Sequence, residues 1–192
     1  MIEDGCPTSR SNGPGARVAR IPAAEHCVRR HGYATHPMTE SVVAFWQRYV
    51  GTLPPEHPHR HARPDAFAFG DSPALANELA ALVGVGRKTA TASLPVEFTS
   101  GGLPLPAAGD VSIVTRADGI PVAIIELVEV RYVPFQAVDA AFAADEGEGD
   151  GTLAWWQAAH RKYFRRVCAR LGANFDETTS VICQRFRLVY RA

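Results

Sequence analysis

No run of the roughly 18 apolar residues needed to span a bilayer as a helix occurs anywhere in the sequence. The N-terminus lacks the apolar core of a secretory signal, which predicts a cytoplasmic protein. There is also no charge excess: 20 Lys and Arg stand against 20 Asp and Glu, so any contact with nucleic acid rests on a local basic patch rather than on the overall field. Cysteine is scarce. Cys6, Cys27, Cys168 and Cys183 form no CxxC pair, so neither a metal knuckle nor a dithiol redox motif is signalled, and free thiols in a reducing compartment are expected. What the chain does have is apolar residues, 46% against 21% charged, enough for one globular domain with a real core.

Residues 1–37 carry four Pro, four Gly and five Arg without a sustained apolar period, the pattern of a disordered extension. The folded domain is expected over 38–192. It opens at "MTESVVAFWQRYV", where Thr39 caps a helix whose buried stripe is Val42, Phe45, Trp46 and Tyr49. Four prolines between 51 and 67 predict a long extended connection. His57, His59 and His61 alternate within it but bring no carboxylate or thiolate partner, so no metal is assigned to them. Ser72 before Pro73 starts a second helix, with Leu75, Leu79, Leu82 and Val83 inward and a glycine end at Gly84 or Gly86. "DVSIVTR" and "PVAIIELVEVRYV" read as a hairpin, and a short helix follows through "FQAVDAAFAAD". A long amphipathic helix runs from Thr152 to Leu171, and a last strand alternates Ile182, Phe186, Leu188 and Tyr190. The coarse reading is α+β.

The stretch "GRKTATASL" (86–94) poses the sharpest question. Thr89, Thr91 and Ser93 share one parity and Ala90, Ala92 and Leu94 the other, so an extended strand has one hydroxyl face and one face of small side chains. Small residues let a neighbouring element come close, while hydroxyls suit a polar cavity. Arg87 and Lys88 sit at the corner between the second helix and this strand. An ordinary explanation for Lys88 is a cation favoured by the helix C-terminus.

Two more features carry charge. The acidic run "DEGEGDGT" has carboxylates at Glu146, Glu148 and Asp150, but an EF-hand would need its bidentate acid at residue 157, which is Gln157. Glu148 and Asp150 suit the N-terminus of the helix at Thr152, and Glu146 is the carboxylate that capping explains least. On that helix Arg161, Lys162, Arg165 and Arg166 form a basic stripe of the kind that holds phosphates, and solvated helix faces share the pattern. His160 lies between stripe and core, while Trp155, Trp156 and Tyr163 read as core.

Together, "FGD", "ELA", "GRKTATASL", "LPAAGD", "EGEGDGTLAWWQAAHRKYF" and "FRLVY", spread from about Trp46 to Tyr190, resemble the ASCH domain family. The resemblance implies a PUA-like fold, a mixed β-barrel flanked by helices, with a cleft that takes a nucleoside, nucleobase or RNA segment. In the family's GxKxxxxR motif Gly86 and Lys88 match, but Ser93 stands at the arginine position, so recognition by that arginine does not carry over. One branch comprises amidohydrolases acting on N4-acetylcytidine. Their lysine, threonine and glutamate match Lys88, Thr91 and Glu146, which implies a catalytic set. In that reading burial makes Lys88 a neutral base, Thr91 or a water attacks the amide, and Glu146 protonates the leaving amine. Arg87, Thr89, Ser93, Glu148, Asp150 and His160 are the candidate ligand contacts. No cofactor or membrane partner is implied. The alternatives are a non-catalytic RNA-binding module using the basic helix, or a ribonuclease.

Overall fold

The computed structural model describes Arg29–Arg30 and residues 33–192. Most of the expected extension lies outside the described residues. Its last part departs from expectation, because Tyr33–His36 (β2) is a strand that pairs with Arg29–Arg30 (β1) on one side and Asp65–Ala68 (β3) on the other.

Helix α1, Glu40–Gly51, begins where the Thr39 hydroxyl accepts from the Val42 N–H, and it buries the four residues its apolar period selects. The connection after it is less extended than its prolines suggest. Pro58–His61 forms a 3-10 turn, and His59 is buried with its Nδ1 2.6 Å from the Tyr49 hydroxyl. Helix α2, Pro73–Gly84, is capped by Ser72 as expected.

The strand of the opening question is β4, Ala90–Ser93. A short helix absent from the sequence reading follows, α3, Pro95–Thr99, where Glu97 reaches back to the Leu94 N–H at 2.7 Å. Val111–Thr115 (β5) and Pro121–Pro134 (β6) make the expected hairpin. Helix α4, Ala140–Glu146, is capped by Asp139, and α5, Leu153–Leu171, by Thr152. Strand β7 is Ser180–Arg191.

The fold is α+β with one mixed sheet in the order β1-β2-β3-β5-β6-β7-β4, in which only β3 and β5 run parallel. Strand β4 stands at one end of that order and pairs with β7 alone, Ala90 opposite Arg185 through Ser93 opposite Ile182. Its two faces settle the parity question. Ala90 and Ala92 pack with Phe135, Phe142, Trp156 and Phe164 under α4 and α5, where a larger side chain would hold the helices off the sheet. Thr91 and Ser93 face the other way. No helix among the described residues is long and apolar enough to cross a membrane.

Candidate functional site

Lys88 lies in the corner between α2 and β4. The chain turns there because the N–H groups of Arg87 and Lys88 both donate to the Leu82 carbonyl, at 2.9 and 3.1 Å. The next residue fastens the corner to another element: Thr89 donates to the Asp145 carbonyl through its N–H at 2.8 Å and its hydroxyl at 3.1 Å. Asp145 is in the last turn of α4, so this clamp delivers Glu146 to Lys88. Gly147 then ends the helix with φ +68°, and a Cβ there would lie 2.5 Å from the Arg87 carbonyl oxygen. Only glycine lets the two corners touch.

The Lys88 ammonium donates to Glu146 Oε2 at 3.0 Å and to Glu148 Oε1 at 2.6 Å. The other oxygen of Glu146 accepts from the Trp156 indole N–H at 2.9 Å and lies 3.5 Å from His160 Nε2. His160 stacks on Trp156 with ring centroids 4.1 Å apart. The Lys88 and Glu146 side chains are each 1% exposed, and Glu148 is 14% exposed. Phe69 covers the amine from another side, its ring centroid 5.2 Å from Nζ.

These contacts fix the protonation states. Burial pushes the Lys88 amine down, but the carboxylates of Glu146 and Glu148 outweigh it and hold the amine above its ordinary range. Burial likewise pushes Glu146 up, and the neighbouring ammonium, with His160 and the indole N–H, holds it below the usual carboxylate range. The expectation of a neutral lysine base is therefore overturned: at neutral pH the pair is an ammonium and a carboxylate. Loss of hydration makes such a buried pair tenable only when its hydrogen bonds are made.

The remaining candidates separate. Thr91 lines a cavity, and Lys88 donates to the two carboxylates rather than to it. Thr89 is turned to Asp145, as described, and Arg87 is exposed. Asp150 accepts from the N–H and hydroxyl of Thr152 at 2.8 and 2.7 Å, ordering the start of α5 instead of reaching Lys88. Ser93 accepts from the Gln184 amide at 2.9 Å. Of the six candidate ligand contacts, Glu148 and His160 converge on the Lys88 centre.

The cavity, about 460 Å³, opens on the hydroxyl face of β4, with Phe67, Phe98, Ile125 and Leu127 as apolar walls and Thr91 and Gln184 among its polar groups. Its size and its mainly apolar lining, broken by a few polar groups, are those of a small-molecule site. Lys88 and Glu146 do not line it. Among the described residues no group of three His, Cys, Asp or Glu side chains is placed to hold a metal ion.

The basic stripe on α5 is partly neutralised by acids from elsewhere in the chain. Arg161 grips Glu177 through two nitrogens, at 2.8 and 3.0 Å, and its guanidinium lies over Phe135. Arg166 pairs with Asp71. Lys162 and Arg165 are exposed and form no ion pair with a described residue.

Two residues escaped the sequence reading. Arg185 joins Asp145 at 2.7 Å and Glu129 at 2.6 Å, bracing the turn that carries Glu146; its partners come from two other elements, α4 and β6, so no local pattern reveals it. Gln184 has a local signal, since it interrupts the apolar alternation between Ile182 and Phe186.

The ASCH domain family's pattern matches residues 65–190. Among solved structures, an ASCH domain from Lactobacillus crispatus JV V101 is similar at 35% identity and a TM-score of 0.75, over 81% of this chain and 98% of that one. Protein EF3133 from Enterococcus faecalis V583 is similar at 30% identity and a TM-score of 0.67, over 79% and 94% of the two chains. No curated protein matches the chain.

Proposed function

Because the chain belongs to the ASCH domain family, we propose that it binds a nucleoside or an RNA segment in the cavity beside β4 and hydrolyses an amide on a modified cytidine such as N4-acetylcytidine, the amide reaching past the cavity lining to Lys88 and Glu146 once Glu148 is displaced. The PUA-like barrel expected from the sequence, with the sheet curling about this cavity, is part of the same reading. The observation that carries the proposal is the buried pair of Lys88 and Glu146. A lysine and a glutamate 58 residues apart are held at 3.0 Å with 1% exposure each, a costly arrangement that tertiary structure serves on every side.

The roles follow from the charges. An ammonium cannot take a proton, so the base is Glu146: its carboxylate removes the proton from the attacking oxygen, of Thr91 or of a water, as that oxygen bonds to the amide carbon. Lys88 stabilises the negative charge that develops on the carbonyl oxygen. When the C–N bond breaks, Glu146 returns its proton to the leaving amine; where Thr91 was the attacking group, a water then attacks the acyl ester, giving its proton by way of Glu146 to the departing Thr91 oxygen and releasing the acid. Glu148, the most exposed of the three charged groups, is the one the substrate displaces from Lys88.

The test is release of cytidine from N4-acetylcytidine, followed by chromatography. Wild type should turn over, and Glu146→Gln, which keeps the size of the side chain, should lose about 10²- to 10⁴-fold in rate. A wild-type protein that binds the nucleoside but releases no cytidine would remove the hydrolytic reading. Exposed Lys162 and Arg165 favour a second reading, RNA retention on α5. Reversing both charges should weaken RNA binding and flatten its salt dependence while nucleoside turnover persists; unchanged retention would dismiss it. Ribonuclease activity is checked in the same preparation with and without chelator.

A further inference from the structure

Gln184 sits in the middle of β7, opposite Thr91 on one side and Val130 on the other, and is 6% exposed. Its neighbours on the same parity are Ile182 and Phe186, so a primary amide stands in a face otherwise apolar at that point. Such a group has two N–H donors and a carbonyl oxygen with two lone pairs, and burying them unused is unfavourable. Among the described residues its side chain makes one hydrogen bond, from Nε2 to Ser93 Oγ at 2.9 Å. Ser93 is itself buried and lies outside the cavity lining, whereas Gln184 is part of that lining. Half of the amide is therefore anchored and the other half is left for whatever occupies the cavity.

We infer that Gln184 is a specificity-determining residue: anchored by Ser93, it presents Oε1 as an acceptor to the amino group of a planar base, selecting cytosine over uracil. The inference rests on the nucleoside-binding reading. Cytosine and uracil have nearly the same shape, and at one ring position the first carries an amino donor where the second carries a carbonyl acceptor. An acceptor facing Oε1 leaves two oxygens opposed and unpaired. In the structure Nε2 donates to Ser93, which leaves Oε1 toward the cavity; turning the amide to offer its nitrogen requires the Ser93 hydroxyl to change from acceptor to donor. Phe67 and Phe98 line the same cavity and supply aromatic surface for a ring.

The experiment is calorimetric titration of the full chain with cytidine and with uridine. Wild type should bind cytidine at least about tenfold more tightly. Gln184→Leu should bring the ratio close to one, and Ser93→Ala, which frees the amide to turn, should lower it as well. Thermal melts establish that each variant is folded; if Gln184→Leu is not, the ratio in Ser93→Ala decides. A ratio unchanged in the folded variant, or a wild-type preference for uridine, overturns the inference and leaves nucleoside binding standing. Wild type that binds neither nucleoside overturns the nucleoside reading and this inference with it.

Discussion

His160 lies flat on Trp156, their planes 15° from parallel, and each turns a ring nitrogen toward the same oxygen of Glu146. The stack thus does two jobs: it fills the core under β4 and brings the indole N–H to a carboxylate that has left water. Trp156→Phe keeps most of the ring surface and removes the indole N–H. It should cost about 1–3 kcal/mol in urea denaturation at neutral pH. Glu146 is held below its ordinary range, so its contribution is present above the unfolded carboxylate value and is lost as pH falls through the folded one. In Trp156→Phe that acid loss should begin at a higher pH.

Removing one charge of the buried pair should hurt more than removing both. Lys88→Met leaves Glu146 without its main counter-charge, and a loss of about 3–5 kcal/mol is expected. Adding Glu146→Gln should restore part of it, as read from the midpoints of urea curves. The Lys88 amine is held above its ordinary range, so its contribution is fully present below the unfolded value and lost as pH rises through the folded one. A double variant whose loss is the sum of those of Lys88→Met and Glu146→Gln would show that the pair is not coupled.

Gly147→Ala should be among the most damaging glycine changes. It combines a left-handed backbone with a Cβ only 2.5 Å from the Arg87 carbonyl, and backbone cannot swing aside as a side chain can. Gly151→Ala is the control, since φ is +74° there but nothing lies within 4 Å. The melting temperature of Gly147→Ala should fall further than that of Gly151→Ala. A smaller fall would mean that the two corners are not in fixed contact.

Glu97 predicts a second pH dependence, of opposite sign to that of Glu146. Burial pushes its carboxyl up to about 7, against the hydrogen bonds from the Leu94 N–H and the Tyr163 hydroxyl and the nearby Arg170 charge. The folded state then binds the proton more tightly than the unfolded chain, so stability falls as pH rises from the ordinary carboxylate value toward 7. The full effect is roughly 3 kcal/mol. Glu97→Gln should flatten stability between pH 5 and about 8, measured by urea denaturation at several pH values. A profile as steep as wild type would assign the dependence elsewhere.

Much of the scaffold is legible along the chain because its causes are local. Thr39, Ser72 and Thr152 announce helices, the apolar spacing selects the buried faces of α1 and α5, and the parity of 89–94 shows two unlike strand faces. The meeting of Lys88 with Glu146 is implied by family resemblance and by no local pattern. Burial alone argues for a neutral lysine, whereas two carboxylates arriving from residues 146 and 148 reverse the sign. Thr89 was expected beside Thr91 by parity, yet it precedes the strand, where its hydroxyl meets the Asp145 carbonyl. The acids that quench Arg161 and Arg166 lie outside the helix, at Glu177 and Asp71, so no spacing within it reveals them.

The solitary partnership of β4 with β7 has a consequence for how the molecule is made. Polypeptides grow from the N-terminus, and 89 residues separate Ser93 from Ile182, its partner across the pairing. At about 5–20 residues per second the ribosome takes roughly 4 to 18 seconds to cover that distance. Throughout that interval the segment bearing Lys88 and Thr91 has been synthesised while the strand that will carry it has not. A nascent chain therefore cannot assemble its chemistry early, and binding competence should appear only after Arg185 has cleared the exit tunnel.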